Sequence, residues 1–188
     1  MQRVLPFTHS LLENVLHNGD IAIDCTAGNG HDTKLLAELV GTEGKIFAFD
    51  IQKKAITNTK ERLEAANLHE NVELIHDSHS NMKIHIPDKY HGQVKAAVFN
   101  LGYLPGGDKN IVTNEKTTVK AIEHLLDIMS PNSLIAIVVY HGHPEGQTER
   151  DELLHYVRRL EQKAYGVLQY QFLNPKNNPP FLIAIQKK

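Results

Sequence analysis

The chain has 188 residues, 41% hydrophobic and 22% charged, with a formal net charge of −2. This is enough for one sizeable core and gives no strong overall field to recruit nucleic acid, so any RNA contact must use a local patch. A single cysteine, Cys25, excludes a disulfide framework and fits a reducing compartment; without a leader-like start or an apolar run of spanning length, a cytoplasmic protein with no membrane partner is expected.

Leu11, Leu12, Val15 and Leu16 recur at helical spacing and predict a short amphipathic helix over 7–17, ended by Gly19 and Asp20. Residues 21–24 read as a strand, followed by a glycine loop and a helix over 32–40 with Gly41 and Gly44 as stop signals. A second strand over 45–50 leads to a helix over 53–67 that buries Ile56, Thr59, Leu63 and Ala66. A third strand covers 72–76, and a fourth, after Pro87, covers 94–99. A helix over 114–129 presents Ile122, Leu125 and Met129, with Pro131 beyond its end. The run 133–140 is a continuously buried strand. Thr148-Glu149-Arg150-Asp151 has the form of a capping box for a helix bearing Leu153, Val157 and Leu160. Strands over 167–173 and 181–185 close the chain, joined by the loop 174–180.

Strand and helix alternate through most of the length, which argues for one α/β domain, 1–188, built on a parallel sheet covered on both faces. The last two strands have no helix between them, so the final one runs antiparallel. A seven-stranded Rossmann-like sheet with that ending is the usual methyltransferase architecture. No internal repeat, low-complexity tract or linker interrupts it.

In an open parallel sheet, ligands bind beyond the carboxyl ends of the strands. The first candidate there is the loop Asp24-Cys25-Thr26-Ala27-Gly28-Asn29-Gly30-His31-Asp32. A dinucleotide fingerprint needs a third small residue and room for a pyrophosphate at the helix start. Thr33 stands where that small residue belongs, and Asp32 puts a negative charge where phosphates would lie. A phosphate-free cation fits better, and S-adenosylmethionine is the expected cofactor; the other reading is a plain strand–helix turn. Asp50, twenty residues after Gly30 and followed by Ile51 and Gln52, suits ribose hydroxyls. Asp77, Ser78 and His79 follow the third strand, where an acid can accept from an adenine amine, or where the three simply form a turn or cap. No metal site is expected, since His76 and His79 lack further ligands.

The turn after the fourth strand, Asn100-Leu101-Gly102-Tyr103-Leu104-Pro105-Gly106, faces the cofactor methyl in this fold. The Asn100 carbonyl can accept from a target amine and Tyr103 can stack on a base, with Leu104 and Gly106 beside the substrate; the alternative is a glycine-rich turn. Asn178-Pro179-Pro180-Phe181 imitates an adenine-methylase motif but follows the wrong strand. Lys176 and Asn177 in the same loop either touch RNA phosphate and sugar or form a solvated turn. Cys25, within the first strand's cofactor end, reads as a packed side chain, which leaves nitrogen or oxygen as methyl acceptor. Tyr140, His141 and His143 follow the fifth strand; either histidine could take a proton or contact substrate, with His143 the candidate base, or be a bystander among the twelve histidines of the chain.

The stretches Asp24 to Thr33, Ala48-Phe49-Asp50-Ile51-Gln52, Ser78-His79, Phe99 to Lys109 and Tyr140-His141-Gly142-His143 together resemble one family over nearly the whole chain. It is the bacterial tRNA 5-(aminomethyl)uridine methyltransferase family, MnmM, long labelled rRNA methylases. The resemblance implies methyl transfer from S-adenosylmethionine to the amine of 5-aminomethyl-(2-thio)uridine at the tRNA wobble position. It puts Asn29, His31, Asp32, Asp50, Gln52, Ser78 and His79 on cofactor positions, and Asn100 and Tyr103 at the reaction centre. His141, where proline is expected, and Pro144-Glu145, where more glycine is expected, depart from the pattern and bear on substrate contacts. The implied partner is the tRNA anticodon region, and a homodimer would enlarge the RNA-binding surface. The rivals are a methylase of rRNA or a small amine, and a noncatalytic RNA-binding domain.

Overall fold

The computed structural model describes residues 1–102, 104, 106, 113–142 and 144–188. Seven strands form one sheet: β1 (Ile21–Asp24), β2 (Lys45–Phe49), β3 (Val72–Ile75), β4 (Val94–Leu101), β5 (Met129–Val139), β6 (Tyr165–Tyr170) and β7 (Phe181–Lys187). Their spatial order is β3-β2-β1-β4-β5-β7-β6. The first five pair in parallel, while β7 is antiparallel to both β5 and β6. The loops after β1, β2, β3, β4 and β5 therefore share one rim, and the loop entering β7 reaches the same edge.

Strand alternation divides the apolar side chains between two cores. Ile23, Phe99, Ile137 and Ile183 face one side, under α4 (Met82–His85), α5 (Glu115–Ile128) and α6 (Pro144–Val157). Ala22, Val98, Ala136 and Leu182 face the other, under α1 (Val4–Val15), α2 (His31–Val40) and α3 (Lys53–Ala65). Burial on both faces is why these strands read as unbroken apolar runs rather than alternating ones.

Several expected boundaries move. Helix α1 starts at Val4, because Pro6 lies in the first turn, where a missing N–H costs nothing. Helix α3 buries Ala55, Thr59 and Leu63; Ile56 and Ala66 are only partly covered. Short 3-10 turns at His79–Asn81 and Asp88–Tyr90 flank α4, in a stretch too short for a periodic signal. Strand β5 begins at Met129, and its pairing jumps from Val94–Met129 to Ala96–Leu134 around Pro131, which has no N–H to give, and Asn132, whose φ is 58°. The capping box at 148–151 is not used. Helix α6 opens at Pro144, a favoured first helical residue, so Thr148 lies inside it.

Candidate active site

The glycine loop is shaped from below by Asp24. This residue is fully buried; its carboxylate accepts from the Thr26 backbone N–H (3.0 Å) and the Thr33 hydroxyl (2.6 Å), tying the loop and the first turn of α2 to β1. Burial pushes its pKa up to about 7, and the negative charges of Asp32 and Asp50 push the same way against the two hydrogen bonds. The folded chain thus keeps a proton that the unfolded chain releases near pH ~3.9. That contribution to stability is fully present below the unfolded value and is lost as pH rises through about 7. Asp24→Asn should flatten the fall in melting temperature between about pH 4 and 7, and an unchanged slope would show that another group carries it.

Gly28 and Gly30 adopt left-handed φ values of 56° and 76°. At Gly30 an added Cβ would lie 2.8 Å from Thr59 Cα, so the loop rests directly on α3. Helix α3 grips it further: Asn58 Nδ2 donates to Asn29 Oδ1 (2.8 Å), Thr59 Oγ1 to Gly28 O (3.2 Å) and Arg62 Nε to Asn29 O (2.6 Å). Asp50, at the end of β2, accepts from the Gly28 N–H (2.9 Å) and the Gln52 N–H (2.8 Å). Each of its oxygens keeps acceptor capacity for a ligand.

Above this loop lies a cavity of about 790 Å³. Ala27, Gly28, Asn29, His31 and Asp32 form its floor; Asp50, Ile51 and Gln52 one wall; Asp77, Ser78 and His79 another. Asn100, Leu104 and Tyr140 border it as well. Asp77 is already engaged, accepting first from His85 Nε2 (2.7 Å), whose bond does most to hold its pKa below the usual carboxylate range, and also from Ser78 N–H (2.7 Å) and Asn81 Nδ2 (3.0 Å). His79 is buried. Its Nδ1 faces the Cys25 carbonyl at 2.8 Å, so that nitrogen carries the proton. Its Nε2 is then an acceptor, buried and without a partner among the described residues. Burial also lowers its pKa, which keeps the ring neutral. Cys25 is buried, and burial with Asp24 beside it raises its thiol pKa well above the ordinary value, so it is no thiolate nucleophile.

The end of β4 carries a polar group bound through both backbone and side chain. The Asn100 backbone N–H donates to Thr26 Oγ1 (2.7 Å), and its side-chain Nδ2 donates to Asp32 Oδ2. A carboxylate can only accept, so the amide must present its NH₂ to Asp32. Asn100 Oδ1 then has no donor among the described residues, and the residue borders the cavity. The other Asp32 oxygen, Oδ1, receives His9 Nε2 at 2.8 Å.

Other candidates lie elsewhere. Asp24 and Gly30 do not border the cavity; the carboxylate is spent on shaping the loop and the glycine on contact with α3. His141 is 5% exposed and is turned to the loop before β7, with Nε2 3.1 Å from Pro179 O and its ring against Phe181, which takes it away from the cavity. Gly106 O accepts from Lys54 Nζ (2.8 Å). Lys176 and Asn177 are exposed in the loop entering β7 and outside the cavity wall. Tyr103 and His143 lie outside the described residues.

Sequence reasoning missed Leu5 and His9 on α1, and Thr113, Asn114 and Thr117 at the start of α5, all of which border the cavity. Asn114 was visible as a helix start, and it does cap α5, accepting from the Thr117 N–H (3.1 Å). Glu149, expected within a capping box, is buried and accepts from Thr113 Oγ1 and Thr118 Oγ1, both at 2.7 Å. It thereby holds the point where the chain rejoins the rim after the β4 turn.

Comparison with known proteins agrees with this architecture. Residues 46–186 match the family model described as "Putative rRNA methylase". An Arabidopsis thaliana protein named "tRNA (mnm(5)s(2)U34)-methyltransferase, chloroplastic" is 35% identical over 188 residues, covering 96% of this chain and 68% of that protein. A solved "putative rRNA-methylase" from Clostridium thermocellum is 39% identical with a TM-score of 0.96, covering 100% of this chain and 99% of the other. A "putative methyltransferase" from Streptococcus mutans, crystallised in complex with SAH, is also 39% identical, with a TM-score of 0.90 over 100% and 99% of the two chains. The seven-stranded sheet with its antiparallel β7 is that of the S-adenosylmethionine-dependent methyltransferases, and the chain belongs to the rRNA methylase family of these enzymes.

Proposed function

We propose that this protein transfers the methyl group of S-adenosylmethionine to the amine of 5-aminomethyl-(2-thio)uridine at the wobble position of tRNA. The observation that carries this reading is the Asn100 amide. Its NH₂ is committed to Asp32, which leaves a carbonyl oxygen as acceptor beside the glycine loop. An acceptor there suits a substrate that brings an N–H, as an amine does. The name of the Arabidopsis relative supports the choice of RNA and base.

The residues present fit the cofactor. The cavity volume of about 790 Å³ is of the size that holds such a ligand. Asp50 keeps acceptor capacity for a ribose diol, and the orphaned His79 Nε2 is a buried acceptor of the kind an adenine amine satisfies. Asp32 and Asp50 bring negative charge to a ligand that carries a sulfonium and an ammonium. When bound, S-adenosylmethionine supplies an electrophilic methyl group.

The chain's own part is alignment. Asn100 Oδ1 would accept one N–H of the neutral substrate amine and leave the nitrogen lone pair free to attack the methyl group that the cofactor would supply. Tyr140, 37% exposed, offers the base an aromatic edge, with Leu104 beside it. The amine's proton passes to water or to a base on the rim. Proximity and orientation supply most of the rate in such a transfer. Lys176 and Asn177 are exposed at the same sheet edge and would meet the anticodon backbone. The proposal extends to a homodimer, in which a second copy adds RNA-binding surface; light scattering with and without tRNA reads it.

Purified protein should convert the 5-aminomethyl nucleoside of precursor tRNA into the 5-methylaminomethyl form, read by mass spectrometry of digested nucleosides. Transfer to ribosomal RNA instead, in a parallel reaction, would favour the activity for which the family model is named. Tight S-adenosylmethionine binding without transfer to either RNA would favour a noncatalytic binding role.

A further inference from the structure

His9 belongs to none of the loops that form the sheet's rim, yet it completes the corner where Asn100 sits. It is carried by α1, which is fixed on the sheet through buried Val4 and Leu12. Near its start, Phe7 packs on Tyr170 with ring centroids 4.3 Å apart, and the Tyr170 hydroxyl donates to Gln2 O (2.8 Å). Leu5 and His9, four residues apart and so on one helical face, both border the cavity. One side of α1 is thus buried while another forms part of the cavity wall.

Asp32 joins three elements. Oδ1 receives His9 Nε2 from α1, Oδ2 receives Asn100 Nδ2 from β4, and the residue itself lies in the first turn of α2. A carboxylate held at both oxygens cannot rotate about its last bond. Released at one oxygen, it can swing, and the Asn100 amide loses the partner that decides which of its ends faces the cavity. A flipped amide offers NH₂ instead, which cannot accept the amine's N–H and can only occupy the lone pair that must attack. The chain of contacts ends at the atom that receives the substrate.

We propose that His9 is a positioning residue for methyl transfer: acting through Asp32, it fixes the Asn100 amide with its oxygen toward the acceptor amine. This rests on the function proposed above. His9 touches neither reacting atom in this role. Its imidazole is needed for an N–H at the Nε2 position, which a glutamine side chain reproduces and a leucine does not.

The test compares wild type, His9→Leu and His9→Gln. The first readout is the side-chain ¹⁵NH₂ pair of Asn100, assigned by its absence in Asn100→Asp. Wild type and His9→Gln should show a resolved, exchange-protected pair, and His9→Leu a pair that exchanges as freely as a solvated asparagine. The second is kinetic: His9→Leu should lower kcat about 10- to 100-fold while KM for S-adenosylmethionine stays within about threefold, and His9→Gln should recover most of the loss. An Asn100 amide pair unmoved in His9→Leu overturns the inference, as does a glutamine variant no better than leucine. His9→Ala replaces the leucine variant if that one does not fold. If wild type transfers no methyl to 5-aminomethyluridine tRNA, the proposed function fails, and the amide readout still decides the role of His9.

Discussion

Asn100→Ala should lower kcat by about 10²- to 10³-fold while the dissociation constant for S-adenosylmethionine changes by less than about threefold. The separation of the two effects follows from where the residue is held. Its backbone N–H is bound by Thr26 Oγ1, and its place in β4 is fixed by pairing with Val138 of β5, so alanine removes the amide and leaves the strand alone. Asp32 loses one partner but retains His9. The cavity wall formed by Asp50, Gln52 and His79 is untouched. What disappears is the acceptor to which the proposed function assigns the orientation of the amine. Steady-state kinetics with precursor tRNA and calorimetric titration of the cofactor check this together. Equal loss in both measurements would show that Asn100 serves cofactor binding instead.

Gly30→Ala should be strongly destabilising, although it adds a single methyl group. Two costs add. At φ 76° an L-residue is strained by about 1–2 kcal/mol. The new Cβ would also stand 2.8 Å from Thr59 Cα, a backbone atom in the middle of α3 that cannot turn aside as a side-chain tip could. Overpacking of this kind costs about 1–3 kcal/mol. The sum, about 2–5 kcal/mol, corresponds to a fall in melting temperature of roughly 5–15 °C for a chain of this size. If the loop yields instead of the helix, the bonds from Asn58, Thr59 and Arg62 to the loop lengthen and cofactor affinity falls with stability. Gly28 is the internal control. It has a similar φ, but an added Cβ there meets Leu104 at 3.6 Å, an ordinary contact, so Gly28→Ala should lower the melting temperature less. Equal falls for the two variants would mean that backbone strain, rather than the close approach to α3, makes Gly30 necessary.

The strands that build the rim were legible because burial on both faces leaves mainly apolar residues: Ile21 to Ile23 and the run from Ile135 to Val139 carry that signal directly. The antiparallel β7 was legible from the missing helix before it. The phase of α3 was not. Its apolar stripe is thin, since Asn58 and Arg62 are spent on the glycine loop, and Ala55 is a weaker marker of the buried face than Ile56. The capping box failed for a related reason. Asp151 pairs with its neighbour Arg150, and Glu149 reaches across to Thr113 and Thr118, so one residue of the local pattern is taken up by tertiary contacts. At the site, Asp50 and Asn100 were visible from their spacing after strands. His9 was not, because a polar residue on an amphipathic helix reads as solvated, and its partner Asp32 lies 23 positions away.

Strand β7 follows β6 in sequence but inserts between β5 and β6. A chain that stops shortly before Phe181 would therefore leave β5 with an open edge of apolar residues and β6 with no strand to join, a half-assembled sheet prone to pair with other chains.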